Sequence, residues 1–114
     1  MKTDDIEVSQ DRIIIRLSGA KIATFMDTNS MDPVLDSEAN AIQVSPASSR
    51  DIQVGDIISY QVPENDYLTA HRVVETGVDL QGPYYITRGD NNPQNDAYKV
   101  RFSWVKSILV GIIY

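Results

Sequence analysis

The sequence predicts a mainly β fold, multi-sheet and barrel-like with little helix, and three observations carry that expectation. Apolar residues fall in short runs that are β-branched or alternate with polar ones. Clusters of Gly, Asn, Asp and Pro separate those runs at short intervals. Helix-start chemistry occurs in only one stretch, SMDPVLDSEA (30–39), which is long enough for one or two turns. There Ser30 or Asp32 could serve as N-cap, with Pro33 near the first turn.

The elements follow in order. RIIIRL (12–17) is a β-branched run, and NAIQV (40–44) alternates. GDIISYQV (55–62) begins on a Gly-Asp turn signal. YLTAHRVVE (67–75) and PYYITR (83–88) flank TGVDLQGP, whose glycines suit a hairpin connection. VKSILVGIIY (105–114) reads as a closing strand bent at Gly111. Between strands, VPENDY (62–67) is an exposed turn. GDNNPQND (89–96) holds five Asp or Asn residues and a proline in eight positions. Asx side chains bond their own backbone and tolerate left-handed conformations, so this segment is a turn by composition.

The 114 residues fit one domain, 1–114, with an N-terminal strand region at 1–27. The formal net charge of -6 and the absence of any Lys/Arg run argue against nucleic acid as a partner. No cysteine is present, which excludes disulfides, thiolate metal sites and cysteine nucleophiles together. The apolar-leaning segment Ile13 to Met26 is interrupted by Arg16, Ser18, Gly19 and Lys21. It is too short and too charged for a bilayer span, and the chain as given is expected to be soluble.

Three places could carry chemistry. Ser30 sits between Asn29 and Pro33, which favour a restricted bend, with Met31 available to anchor that bend in the core. It is a nucleophile if a base takes its proton, and otherwise a turn or N-cap serine, one of ten serines. His71 is the only histidine. In a strand it shares a face with Thr69 and Val73. An imidazole accepts and returns protons near neutral pH, so a reaction needing such a base must use His71, which is otherwise a structural or exposed side chain. Asp90 and Asp96 lie in the Asx-rich segment. Either could orient the imidazole, or both could belong to a solvated turn. Their spacing fails the calcium-loop pattern, lacking the glycine at its sixth position and the glutamate at its twelfth.

Taken in order, Ser-Met-x-Pro (30–33), Gly-Asp-Ile-Ile (55–58), His-Arg-Val-Val (71–74) and Thr-Arg-Gly-Asp-Asn-Asn (87–92) followed by Asp96 resemble the type I signal peptidases. The resemblance is to the archaeal and endoplasmic-reticulum branch of the superfamily that also holds the self-cleaving LexA-type repressors. It runs from about Thr28 to the closing VGIIY. It implies a LexA/signal-peptidase-like fold and a serine endopeptidase that forms an acyl-enzyme. Ser30 is then the nucleophile and His71 the general base, standing where the bacterial enzymes use a lysine. Asp96 matches the acid that orients the histidine, and Asp90 a second functional aspartate that supports the site. Thr28 falls where the family often has an oxyanion-donating serine, with the backbone N–H of Ser30 as the other donor. No cofactor or metal is implied. The implied partner is a polypeptide, expected to be a secretory preprotein, bound as an extended strand along a sheet edge.

The chain departs from the family in two respects. It carries no membrane anchor before the serine motif, so membrane association would require an anchor or partner outside these residues. It also has TNSM where SGSM is usual. Two further readings stay open: a catalytically inactive peptide-binding module of the same fold, and a LexA-like self-processing domain.

Overall fold

The computed structural model describes residues 5–24, 30–35 and 40–113, with backbone alone at 23 and 24, and it is mainly β with very little helix. Strands β1 (Ile6–Val8) and β2 (Ile13–Ile15) form a separate antiparallel ribbon. Seven strands form the main sheet: β3 (Lys21–Thr24), β4 (Asn40–Val44), β5 (Ile57–Tyr60), β6 (Thr69–Asp79), β7 (Gly82–Arg88), β8 (Val100–Arg101) and β9 (Val105–Ile113). Their order is β3-β4-β9-β5-β6-β7-β8, every neighbouring pair is antiparallel, and the sheet curls into a half-barrel.

The curl has a local cause. Register shifts interrupt the β4–β9, β5–β9 and β6–β7 ladders. An extra residue on one strand bends that strand and increases its twist. One shift skips Val110, directly before Gly111, where the sequence predicts a bend.

Strand β5 is buried along its whole length because both its faces are covered. Successive side chains point to opposite faces, so Ile58 and Ile57 enter different cores. Ile58 joins Tyr60, Val62, Val73, Tyr85 and Val100 on one side. Each such fully buried side chain contributes about 1.5–3 kcal/mol of transfer free energy. Ile57 packs with Met31 and Leu35 on the other side. The predicted helical turns at 30–39 are, over the described Ser30–Leu35, a turn rather than a helix. Val34 and Leu35 donate their N–H groups to the Met31 carbonyl at 2.8 and 3.0 Å. Met31 and Leu35, each only 4% exposed, anchor this turn in the second core.

The hairpin between β6 and β7 is tighter than the sequence suggests. Both strands continue into the expected connection, leaving Leu80 and Gln81 as the link. Gly82 follows at φ 107°, a conformation that residues with a Cβ adopt only under strain. Asp79 Oδ1 accepts the Gln81 N–H at 2.9 Å and fixes the tip. At its other end the ladder stops at the Arg72–Arg88 pair, one residue short of His71. That stop leaves room beside His71 for loops.

Candidate active site

His71 lies on β6 opposite Ile58 of β5, which places its ring on the same face as Val73 and the first core. It is 8% exposed. Where β7 ends, the chain turns through Gly89–Asn92, and the serine turn rests on that segment. The Ser30 carbonyl accepts the Asn91 N–H at 2.8 Å, while Asn92 N–H closes the turn on the Gly89 carbonyl at 2.9 Å. The approach is close enough to require glycine: a Cβ on Gly89 would stand 2.5 Å from the Ser30 carbonyl oxygen. Met31 Sδ also accepts the Asp90 N–H at 3.2 Å. Core packing of Met31 and backbone contacts to the Asx-rich turn thus hold Ser30 from two sides.

These contacts bring three remote residues into line. Ser30 Oγ lies 3.2 Å from His71 Nε2. His71 Nδ1 lies 2.6 Å from Asp96 Oδ2. An ionised carboxylate can only accept, so Nδ1 carries the proton, and the Nε2 lone pair is left to accept the Ser30 hydroxyl.

Asp96 is held by more than histidine. Its Oδ2 accepts Thr87 Oγ1–H at 2.7 Å and the Tyr60 hydroxyl at 3.1 Å, and those two hydroxyls lie 3.2 Å apart. Asp96 N–H donates to the Thr87 carbonyl at 2.8 Å. Burial by itself would raise the Asp96 pKa. The hydrogen bonds from His71, Thr87 and Tyr60, with the attraction of a charged imidazole, outweigh it and draw the carboxyl below its usual value. Burial pushes the Tyr60 phenol upward, so that hydroxyl stays protonated and able to donate.

Asp90 does not touch His71. It takes a two-pronged ion pair from Arg72, Nε to Oδ1 at 2.8 Å and Nη2 to Oδ2 at 2.7 Å, while Arg72 Nη1 donates to the Gly55 carbonyl at 2.8 Å. Of the two candidate aspartates, Asp96 meets the imidazole and Asp90 braces the loop under Ser30. A forked guanidinium–carboxylate pair fixes orientation as well as distance. Asp90 thus lies against Arg72 rather than against the imidazole. Thr28, the expected oxyanion donor, lies outside the described residues.

Sequence reasoning missed Tyr60, Thr87, Arg72 and Gly89. Thr87 and Gly89 stand inside the TRGDNN motif, and Arg72 directly follows His71. Their partners lie on other strands and turns, so adjacency in sequence gave them no role. Comparison of the chain with described protein families, with curated proteins and with solved structures finds no match.

Proposed function

We propose that this chain is a serine endopeptidase of the signal-peptidase type, of the archaeal and endoplasmic-reticulum kind, acting on extended polypeptides through an acyl-enzyme. The observation that carries this reading is the line from Ser30 Oγ to His71 Nε2 and from His71 Nδ1 to Asp96, at 3.2 and 2.6 Å. The motif order in the sequence points to the same reaction.

In this mechanism Ser30 Oγ attacks the scissile carbonyl carbon as its proton passes to His71 Nε2. The imidazolium is stabilised by Asp96, which remains ionised. The tetrahedral adduct collapses, the C–N bond breaks, and His71 returns the proton to the leaving amine. A water molecule then attacks the acyl-serine, giving its proton to Nε2; the acyl C–Oγ bond breaks and His71 returns that proton to Ser30 Oγ. The oxyanion calls for donors near the Ser30 amide, with Thr28 the sequence-based candidate for the second. Among the described residues no helix is long and apolar enough to cross a membrane.

The test is hydrolysis of extended peptides carrying small side chains near the cleaved bond, followed by mass spectrometry. Ser30→Ala is expected to remove all but the roughly 10³–10⁴-fold residual catalysis over water that such sites keep without their nucleophile. Equal, null rates for the parent and Ser30→Ala would instead favour a peptide-binding module. A discrete cut within the chain near residues 18–26, lost in Ser30→Ala, would favour self-processing.

A further inference from the structure

We infer that the Tyr60 and Thr87 hydroxyls are positioning groups of the proton relay, fixing Asp96 Oδ2 against His71; the inference rests on the serine-peptidase reading. Donors from three adjacent strands converge on that one oxygen: Tyr60 from β5, His71 from β6 and Thr87 from β7. Tyr60 is 2% exposed and Thr87 is fully buried.

Packing alone does not explain this choice of residues. Phe and Val would occupy nearly the same volumes without the cost of burying a hydroxyl. The hydroxyls have a use only because Asp96 is there. A carboxylate in a half-buried place drifts toward its neutral form unless donors stabilise its charge. A neutral acid is a weaker acceptor and could present its own O–H to the ring. The imidazole would then lose the tautomer that leaves Nε2 open to Ser30. Two fixed hydroxyls, neither carrying charge, hold the carboxylate ionised and aimed, and among the described residues they leave the histidine as its proton-exchanging neighbour. Thr87 also anchors Asp96 through its backbone carbonyl, so one residue sets both the loop and the side chain.

The experiment compares Tyr60→Phe, Thr87→Val and Thr87→Ser with the parent by two readouts. The first is the rate at which an alkyl fluorophosphonate captures Ser30, measured across pH. In that step Oγ bonds to phosphorus, the P–F bond breaks, fluoride leaves and His71 takes the hydroxyl proton. The second is the ¹⁵N spectrum of the ring of His71, the only imidazole in the chain. Losing a hydrogen bond to a charged group should slow neutral-pH capture by roughly tenfold in the Phe and Val variants. The acid midpoint of the rate, which reports protonation of the His71–Asp96 pair, should also move upward, since a carboxylate with fewer donors holds a proton on the pair more tightly. Thr87→Ser keeps the hydroxyl and should restore both. The ring nitrogens should shift away from the pure Nδ1–H form in the Phe and Val variants and return to it in Thr87→Ser.

Parental rates, pH profile and ring spectra in the folded Phe and Val variants would overturn the inference. So would an equal loss at every pH with an unmoved midpoint, which is the mark of packing alone. Failure of the parent to react at all would sink the serine-peptidase reading instead. The ring spectra would still test the contact to Asp96.

Discussion

Asp79 closes the tip of the β6–β7 hairpin, and Asp96 sits beyond the hairpin's opposite end beside His71. Both carboxyls are drawn below their usual value, by different partners. Asp79 is gripped by permanent cations. Arg101 Nη1 and Nη2 reach its two oxygens at 2.8 Å each, and Lys99 Nζ approaches at 3.3 Å while also lying 4.6 Å from the Tyr84 ring centre. Asp96 is gripped by one imidazole and two hydroxyls. A carboxylate matched to guanidinium has no proton to move and serves as a staple across β6, β7 and β8. A carboxylate matched to imidazole steadies a group that can gain and lose a proton. The contrast teaches that a depressed carboxyl does not by itself mark an active site, since a purely structural ion pair depresses it as well.

Three experiments bear on that contrast in decreasing order of effect. Asp96→Asn should lower peptide hydrolysis by about 10⁴-fold, the loss seen when the equivalent acid is replaced in a Ser-His-Asp triad, because the ring is no longer held with Nδ1 protonated. Hydrolysis near the parental rate would show that Asp96 is another staple. Next in size are the roughly tenfold losses expected for Tyr60→Phe and Thr87→Val, which separate the relay's supports from its acid.

The smallest effect belongs to Asp79→Asn, which should leave hydrolysis unchanged and alter only stability in acid. With its folded value depressed, Asp79 binds fewer protons folded than unfolded between that value and the ordinary carboxylate range near pH 4. Its contribution is complete above that range and is lost as pH falls through the folded value. Chemical denaturation across pH should therefore show a shallower dependence on the acid side in Asp79→Asn. A change in hydrolysis instead would tie the hairpin tip to the site.

The sequence made some of this legible and hid the rest for physical reasons. His71 could be found because it is unique and because alternation in its strand puts it beside Val73 on a buried face. The serine bend was readable from Asn29 and Pro33, which restrict the backbone, and from Met31, which the structure buries at 4% exposure. From the residues alone, which aspartate faces the histidine was not readable, although the family resemblance pointed to Asp96. Asp90 and Asp96 share one loop, and only the end of the β7 ladder at Arg88 decides which of them faces the ring. Tyr60 and Thr87 were hidden because their roles depend on register across three strands. The isoleucine run 13–15 shows the limit from the other side. It forms a strand as expected, yet Ile13 is 66% exposed, because a β-branched run specifies backbone conformation without specifying what covers it.

If His71 withdraws the Ser30 proton in the folded protein, covalent capture of Ser30 must depend on the imidazole. The parent and His71→Ala would each be incubated with an alkyl fluorophosphonate at neutral pH, and the adduct located by peptide mass spectrometry. A single adduct on Ser30 is expected in the parent and almost none in His71→Ala. No adduct on Ser30, or equal labelling with and without the imidazole, would contradict it.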